Sequence, residues 1–199
     1  MMISRMAVRV ILFLTLFTGM CVAKSTVTDT PSCPCGPVTD TPSCPCGPEN
    51  ASPAYICVAK NLALGAPAFQ SSTYDNLGAQ NAVDGNRNSI LEFESCSHTN
   101  EDKNSWWRVD LPDVSEITRV SITNRGDCCA VRIYGAEIRI GNSLEKNGNS
   151  NELAATVQSM ANGETKTFKF KPIKGQYVNI VIPGRKEYLT LCEVEVFAD

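Results

Sequence analysis

From residue 61 onward, hydrophobic and polar residues alternate in short runs separated by turn-rich stretches. The runs are residues 106–111, 117–122, 137–140, 165–170, 177–182 and 189–196. Spacing of period two is typical of strands, and no long amphipathic helical pattern competes with it. Trp106 and Trp107 are adjacent in one run, so they must face opposite ways, and one of them is expected in the core. The pattern predicts an all-β fold, an antiparallel β-sandwich of jelly-roll type whose end loops suit a binding site.

The last run predicts the orientation of a cysteine. Alternation places Cys192, Val194 and Val196 on one face of the strand, and Glu193 and Glu195 on the other. Two valines on the first face indicate the core side. We therefore expect Cys192 to point inward.

Composition divides the chain into three parts. Residues 61–199 number 139, a common size for one domain with its own core. Residues 24–60 are rich in Thr, Pro, Ser, Cys and Gly, and residues 27–37 recur unchanged as 38–48. Proline fixes φ and removes amide donors, so this part is predicted to be an irregular Cys/Pro-rich stalk. It contains the only Asn-x-Ser/Thr sequon, at Asn50, although Pro53 just after it disfavours sugar attachment.

Residues 1–23 have the features of a secretory signal peptide. Arg5 and Arg9 precede the apolar stretch 10–17, and small residues then lead to Ala23, after which we expect cleavage. The stretch is too short to span a bilayer of about 30 Å, although an uncleaved anchor stays an alternative. The full chain has 18 basic and 21 acidic residues, so removal of the two arginines leaves 16 against 21 and a net charge of −5. We expect a secreted, extracellular protein without membrane insertion and without a nucleic-acid partner.

Cysteines in an exported protein are read first as disulfide partners. Loss of Cys21 with the signal peptide leaves nine of the ten cysteines, an odd number. One sulfur is then left for another chain or as a free thiol, which predicts a homo-oligomer linked covalently through the stalk. Two Cys-Pro-Cys pairs lie in that stalk and could instead bind a thiophilic metal. The stalk cysteines are Cys33, Cys35, Cys44, Cys46 and Cys57.

The domain itself has four cysteines, Cys96, Cys128, Cys129 and Cys192, which allow three pairings. In two of them both members of the adjacent pair must reach distant partners from one tight loop. We therefore favour Cys96–Cys192 together with Cys128–Cys129. Neighbouring Cα atoms are about 3.8 Å apart, below the usual disulfide span, so the adjacent pair would close a small strained ring. Two free thiols at that loop are the alternative.

The candidate functional residues cluster around this pair. Arg125 and Arg132 bracket the adjacent cysteines, and the only histidine of the chain, His98, lies upstream. Arginine forks and a neutral imidazole can donate hydrogen bonds to hydroxyl or carboxylate oxygens. The sequence has no recognisable carboxylate pair near His98, no Gly-x-Ser-x-Gly and no His-Glu-x-x-His, so we predict a binding protein and not an enzyme.

These residues resemble the F-type lectins, the fucose-binding lectins of eel serum. The resemblance covers residues 61–199 and rests on His98, on the run 125–132, on the opening 61–73 and on the ending 191–196. It implies a discoidin/galactose-binding-like jelly-roll sandwich with one L-fucose site per domain. A related discoidin-like adhesion module that binds membranes or proteins is the alternative.

The resemblance also implies roles for individual residues. The sugar ligands would be His98, Arg125 and Arg132, with the Cys128–Cys129 ring packed against the sugar. Asp127 would hold the Arg125 guanidinium in place, so that the tripeptide Arg-Gly-Asp at 125–127 would not be available to an integrin-type receptor. Phe69 and Leu91 are expected to shelter the methyl group of fucose. The expected partners are fucosylated glycans, bound by several domains at once, in agglutination or innate recognition of microbes.

A second group of residues offers oxygen ligands for calcium. Taken alone, the segment 81–86 is an ordinary Asn/Asp/Gly turn. The resemblance implies a structural Ca²⁺ that braces the loops without touching the sugar. The implied ligands are Asn81, Asp84, Asn86, Ser95, the carbonyl of Cys192 and Glu193.

Overall fold

The computed structural model describes residues 59–198. The predicted signal peptide, residues 24–58 of the predicted stalk with all its cysteines, and the sequon at Asn50 lie outside the described residues. Within the chain, Ala59–Asp199 forms one compact unit. Residues 59–198 contain no helix long and apolar enough to cross a membrane.

The described residues form ten β-strands and four short 3₁₀ helices, with no α-helix among them. The strands are β1 (Ala68–Gln70), β2 (Ser97–His98), β3 (Asp102–Lys103), β4 (Trp106–Thr123), β5 (Glu137–Gly141), β6 (Glu152–Thr156), β7 (Thr165–Val181), β8 (Lys186–Glu187), β9 (Thr190–Leu191) and β10 (Glu193–Phe197). The 3₁₀ helices are Ala79–Ala82, Leu91–Phe93, Ala130–Ile133 and Glu145–Gly148. The all-β prediction is confirmed.

Two long antiparallel strands, β4 and β7, carry the sandwich. The first half of β4 and the last half of β7 lie in a sheet of order β1-β4-β7-β5-β6. The second half of β4 pairs with β10. The register shifts between Asp110 and Ser115, where the sheet passes from one half to the other. Both halves contribute to one core, with Trp107 and Ile180 from the first and Ile122 and Val194 from the second.

The structure joins runs that the sequence pattern separates. The runs 106–111 and 117–122 are two parts of β4, and 165–170 and 177–182 are two parts of β7, except for Ile182. Pro112 lies in the irregular part of β4, where its missing N–H makes regular pairing impossible. The run 189–196 instead divides at Cys192, because Leu191 pairs with β2 whereas Glu193 pairs with β4.

Burial follows the prediction on the core face of the last strand, whereas Glu193, on the other face, is buried as well. Cys192, Val194 and Val196 are fully buried. Trp107 is in the core, where its indole N–H donates to the carbonyl of Ala79 at 3.0 Å, while Trp106 is half-buried on the opposite face. One of the two adjacent tryptophans is thus in the core, as predicted.

Candidate functional site

Three segments that are distant in the sequence carry the candidate site. His98 ends β2, which pairs with β9 through His98 and Thr190. The run 125–132 follows β4 and extends into the 3₁₀ helix Ala130–Ile133. Residues 185–188 include β8 and lead into β9. Loops of the sandwich therefore bring the predicted polar residues together, while the strands hold the ends of those loops in register.

His98 is buried and its tautomer is fixed by one backbone contact. Nδ1 lies 2.7 Å from the carbonyl oxygen of Thr99, which can only accept, so Nδ1 carries the proton. In the neutral ring Nε2 is then an acceptor. We expected the imidazole to donate to the ligand; the structure corrects this, because the single proton of the neutral ring is already committed to Thr99. The rings of Tyr74 and Tyr188 flank His98 at centroid distances of 5.0 and 5.4 Å.

The charge state of His98 follows from its surroundings. Burial lowers the pKa of His98 below its ordinary value, the hydrogen bond to Thr99 raises it, and the positive charges of Arg125 and Arg132 lower it further. The two guanidinium groups therefore lie close enough to act on the imidazole. The lowered pKa keeps the ring neutral at ordinary pH.

Arg125 is held by Asp127 across the tight turn at Gly126. The guanidinium donates from Nε to Oδ1 at 3.0 Å and from Nη2 to Oδ2 at 2.7 Å. Asp127 Oδ1 also accepts the backbone N–H of Leu91 at 3.2 Å, which ties the 3₁₀ helix Leu91–Phe93 to the same ion pair. A side chain at Gly126 would clash with Ser89, so only glycine fits there. Because the side chains of Arg125 and Asp127 pair with each other, they are not both free to bind an integrin-type receptor.

A disulfide joins Cys128 to Cys129, and a second joins Cys96 to Cys192. This is the pairing favoured from the sequence. Cys129 adopts a left-handed backbone with φ of 67° and immediately precedes the helix that carries Arg132. Its carbonyl accepts the N–H of Arg132 at 3.1 Å. The half-buried sulfur pair and Arg132 are thus parts of one short, locally fixed unit.

Arg132 is positioned by residues that follow β7. Its guanidinium carbon lies 4.6 Å from the centroid of the Tyr188 ring, and its Nε lies 3.6 Å from Oε1 of Glu187. Tyr188 contacts both Arg132 and His98, so one aromatic ring fixes the spacing of two of the predicted ligands. Sequence reasoning missed Tyr188, because nothing in its neighbourhood marks it apart from an ordinary half-buried strand residue.

The two residues expected to form an apolar niche are placed differently. Leu91 lies beside the Arg125–Asp127 pair, as described above. Phe69 is 45% exposed on β1 and packs against the guanidinium of Arg108, 4.8 Å from the ring centroid. The role of Phe69 in sheltering the methyl group stays a prediction. The aromatic ring of this part of the chain that contacts His98 is Tyr74, which follows the recognised opening 61–73 by a single residue.

The residues expected to hold calcium come together beneath the Cys96–Cys192 disulfide. Asn81 donates from Nδ2 to the carbonyls of Glu94 at 2.7 Å and Cys96 at 3.3 Å. Ser95 Oγ donates to the carbonyl of Asn88 at 2.5 Å. Side-chain oxygens of Asp84 and Asn86 accept backbone N–H groups two residues ahead, at 2.7 and 3.0 Å. Turn oxygens are thereby held in fixed directions.

Glu193 is the unusual member of this group, because its carboxylate is buried. Oε2 accepts the N–H of Gly85 at 3.3 Å, whereas Oε1 has no hydrogen-bond partner among the described residues. Burial raises the pKa of Glu193 to about 8, and the negative charge of Asp84 adds to the rise. No cluster of three or more His, Cys, Asp or Glu side chains within residues 59–198 could hold a metal. A cation here would therefore depend on amide, hydroxyl and backbone oxygens beside two carboxylates.

Comparison with known proteins places the domain among lectins. A sequence model of the NedA-like, galactose-binding domain matches residues 81–180. The chain is 48% identical over 147 residues to Fucolectin-1 of Anguilla japonica, an alignment that covers 71% of this chain and 82% of the relative. It superposes with a TM-score of 0.68 and 48% identity on a solved fucolectin from the serum of the striped bass Morone saxatilis. That alignment covers 70% of this chain and 47% of the bass protein, so the chain spans about half of its length.

A more distant structure has the same fold. A fucose binding module of Streptococcus pneumoniae superposes with a TM-score of 0.63 at 31% identity, covering 71% of this chain and 96% of the module. Together these matches confirm the discoidin/galactose-binding-like jelly-roll sandwich and the resemblance to the F-type lectins. The chain belongs to the fucolectin family of F-type lectins.

Proposed function

We propose that the domain binds terminal L-fucose on glycoconjugates through His98, Arg125 and Arg132, beside the Cys128–Cys129 disulfide. The observation that carries the proposal is that one ring, Tyr188, contacts both the buried His98, at 5.4 Å between ring centroids, and the Arg132 guanidinium, at 4.6 Å from the ring centroid. Each arginine is already oriented by an acidic side chain, Arg125 by Asp127 and Arg132 by Glu187. Preoriented donors lose little entropy when they engage a ligand.

The hydrogen-bonding pattern suits a sugar hydroxyl. A hydroxyl group can donate one hydrogen bond while it accepts others. His98 Nε2 supplies the acceptor, and arginine N–H groups supply donors. Arg125 gives Nε and Nη2 to Asp127, so its Nη1 is not committed to that carboxylate. A carboxylate ligand would use the arginines but would repel the lone pair of Nε2, which favours a neutral polyol.

The apolar surface nearby suits a deoxy sugar. The disulfide is half-buried and Leu91 is partly exposed next to the Arg125–Asp127 pair. A methyl group placed against such a surface is favoured over a hydroxyl, which would lose water contacts without replacement. L-Fucose combines vicinal hydroxyls with one methyl group.

A glycan array combined with calorimetry tests this function. Wild-type protein should bind fucosylated glycans, and Arg132→Ala should lose them while its melting temperature stays close to that of the wild type. Arg139→Ala is the matched control, because Arg139 pairs with Glu137 and the carbonyl of Asn151 on β5. Equal array profiles for wild type and Arg132→Ala would overturn the proposal.

The second part of the proposal is a structural Ca²⁺ held by oxygens of Asn81, Asp84, Asn86, Ser95, Cys192 and Glu193. The residues fit a hard cation, because they offer only oxygen ligands and include a buried carboxylate oxygen without a partner among the described residues. The ion would supply charge neutralisation for Glu193 and Asp84 and would brace loops that also contain the Cys96–Cys192 disulfide. It has no part in sugar contact.

The remaining part concerns the whole chain. The domain acts as a non-catalytic binding module, secreted after loss of residues 1–23 and made multivalent through disulfides of the stalk. Clustering of weak sugar sites raises the effective concentration and supports agglutination of fucose-bearing microbes. Full-length protein with all five stalk cysteines changed to serine should run as a monomer on non-reducing gels and agglutinate fucose-coated beads less than wild type. Equal bead agglutination would remove that role from the stalk.

A further inference from the structure

Arg185 is an arginine outside the recognised motif that reaches the same short helix as Arg132. Its Nη2 donates to two backbone carbonyls, that of Arg132 at 2.8 Å and that of Tyr134 at 2.6 Å. These carbonyls lie at the end of the 3₁₀ helix Ala130–Ile133, where helical hydrogen bonding stops and carbonyl groups need other partners. A guanidinium also places positive charge at the negative end of the helix.

The segment that carries Arg185 is itself fixed. Pro183 and Gly184 form the turn after β7, with Gly184 at a φ of +79° that L side chains rarely adopt. Asn104 closes this turn, since its Oδ1 accepts the N–H of Gly184 at 2.7 Å and its N–H donates to the carbonyl of Arg185 at 3.1 Å.

Pairing between two strands continues the restraint beyond Arg185. Glu187 on β8 pairs with Asp102 on β3, and the hydroxyl of Ser105 donates to the carbonyl of Glu187 at 2.5 Å. The segment 185–188, which we call the bracing arm, is therefore anchored at both ends.

Three contacts run from the bracing arm to Arg132 and its helix. Arg185 holds the backbone, Glu187 lies beside Nε at 3.6 Å, and the ring of Tyr188 lies under the guanidinium at 4.6 Å. The Arg185 contact fixes the backbone of Arg132, and the contacts with Glu187 and Tyr188 fix its guanidinium group. The start of the helix has other restraints, because Asn162 Oδ1 accepts the N–H of Ala130 at 3.0 Å and Asn124 Nδ2 donates to its carbonyl at 3.3 Å. At the end of the helix, Arg185 is the side chain that satisfies the carbonyls of Arg132 and Tyr134.

We propose that Arg185 is a positioning residue for the sugar site: it locks the backbone of Arg132 so that the guanidinium is presented in its binding orientation. This inference rests on the proposed fucose-binding function for its effect on affinity. Arg185 itself does not contact the sugar. Its removal should loosen Arg132 more than it loosens the domain.

The test uses the full chain with Arg185→Met, which keeps most of the side-chain stem and removes the donors. NMR of the Arg132 Nε–H group in unliganded protein reports its order directly, and calorimetry reports fucose affinity. We expect a broadened, faster-exchanging Nε–H signal and about fivefold to tenfold weaker binding, as loss of such hydrogen bonds typically gives. Arg185→Lys, which retains a donor, should recover part of both. Arg139→Met, which loses a comparable arginine–carbonyl bond on β5, should change neither.

The two readouts separate two kinds of failure. An unchanged Arg132 Nε–H signal in Arg185→Met would overturn the positioning role whatever the sugar result. A broadened Arg132 Nε–H signal together with wild-type fucose affinity would show that Arg185 orders Arg132 but does not contribute to binding, which would overturn the proposal. If wild-type protein bound no fucose at all, the proposed function would fall, while the Nε–H signal would still decide whether Arg185 orders Arg132. A uniform loss of stability without selective loosening of Arg132 would also count against the proposal.

Discussion

Arg125 and Asp127 form a two-point ion pair across a single glycine, with Nε–Oδ1 and Nη2–Oδ2 distances of 3.0 and 2.7 Å. The guanidinium holds the pKa of Asp127 down at about 2 through this hydrogen bonding. The carboxylate therefore stays charged wherever the protein is folded at ordinary pH. It orients the arginine and also receives the N–H of Leu91, so one residue links the polar and the apolar sides of the candidate site.

Asp127→Asn tests this link. The variant keeps one acceptor oxygen but loses the charge and the second acceptor, so Arg125 should no longer be fixed and fucose affinity should fall about tenfold. The measurement is calorimetric titration with L-fucose. Asp113→Asn, in the exposed, irregular part of β4, is the control and should bind like the wild type. Wild-type affinity in Asp127→Asn would show that Arg125 needs no orienting partner.

Fucose affinity should depend on pH through His98. Its pKa is lowered by burial, so Nε2 stays an acceptor at neutral pH and becomes a donor only as the pH falls through this lowered value. We expect affinity to stay constant down to and through pH 6.5, the ordinary histidine pKa, and to weaken only as the pH falls through the lowered value. Asp127 cannot cause such a step, since its pKa is far lower.

The same protonation makes a contribution to stability with a definite sign. Between the ordinary and the lowered pKa the unfolded chain binds more protons than the folded one, so stability rises with pH in that window and falls as the pH drops through it.

Titrations in saturating calcium, which would keep Glu193 out of the comparison, should show the affinity step in wild type. The step should be absent in His98→Gln, and an identical step there would assign it to another group.

Calcium should stabilise the domain through Glu193. A ligand at a hundred times its Kd adds about 2.7 kcal/mol, which raises the melting temperature of a domain of this size by several degrees. Chelator should therefore lower the melting temperature of wild type. Glu193→Gln should lose the response to calcium, and in chelator it should melt no lower than wild type, because it removes a buried carboxylate beside Asp84. Glu195→Gln, whose carboxylate pairs with Arg87, should keep the response.

The two disulfides of the domain should differ in their response to reductant. Cys96 and Cys192 are fully buried, whereas Cys128 and Cys129 are partly exposed. A mild dithiol should open Cys128–Cys129 first and weaken fucose binding while the melting temperature falls only slightly. Alkylation followed by peptide mapping identifies the opened bond. Opening of Cys96–Cys192 first would contradict the expected order. Binding that survived full opening of Cys128–Cys129 would show that this disulfide has no role in the site.

Sequence periodicity predicted the sandwich because alternation is a local property that each strand carries by itself. It could not predict that β4 is one strand, since Pro112 interrupts the pattern although the chain continues in the same direction. Similarly, nothing local shows that the run 189–196 changes partners at Cys192. Partner choice is a property of the whole sheet.

In the candidate site, too, the local features could be predicted and the long-range contacts could not. The run 125–132 and His98 were predicted because their residue types are unusual and most of them are contiguous. Tyr188 and Arg185 escaped prediction because they lie more than fifty residues away in the chain and belong to common residue types. They act through a backbone carbonyl and a ring face, and such contacts leave no motif.

Tyr74 and Phe69 give the sharpest comparison between the predicted and the observed site. Tyr74 packs against His98 at 5.0 Å, whereas Phe69 packs against Arg108 on the outer face of the sheet. An aromatic pair contributes about 0.5–1.5 kcal/mol, so Tyr74→Ala should weaken fucose binding about threefold to tenfold. Phe69→Ala should leave fucose affinity unchanged and lower the melting temperature slightly, because Arg108 loses a ring partner. Calorimetry on both variants decides the matter: weaker binding in Phe69→Ala alone would place the methyl niche at Phe69, as the sequence resemblance implied, and not at Tyr74.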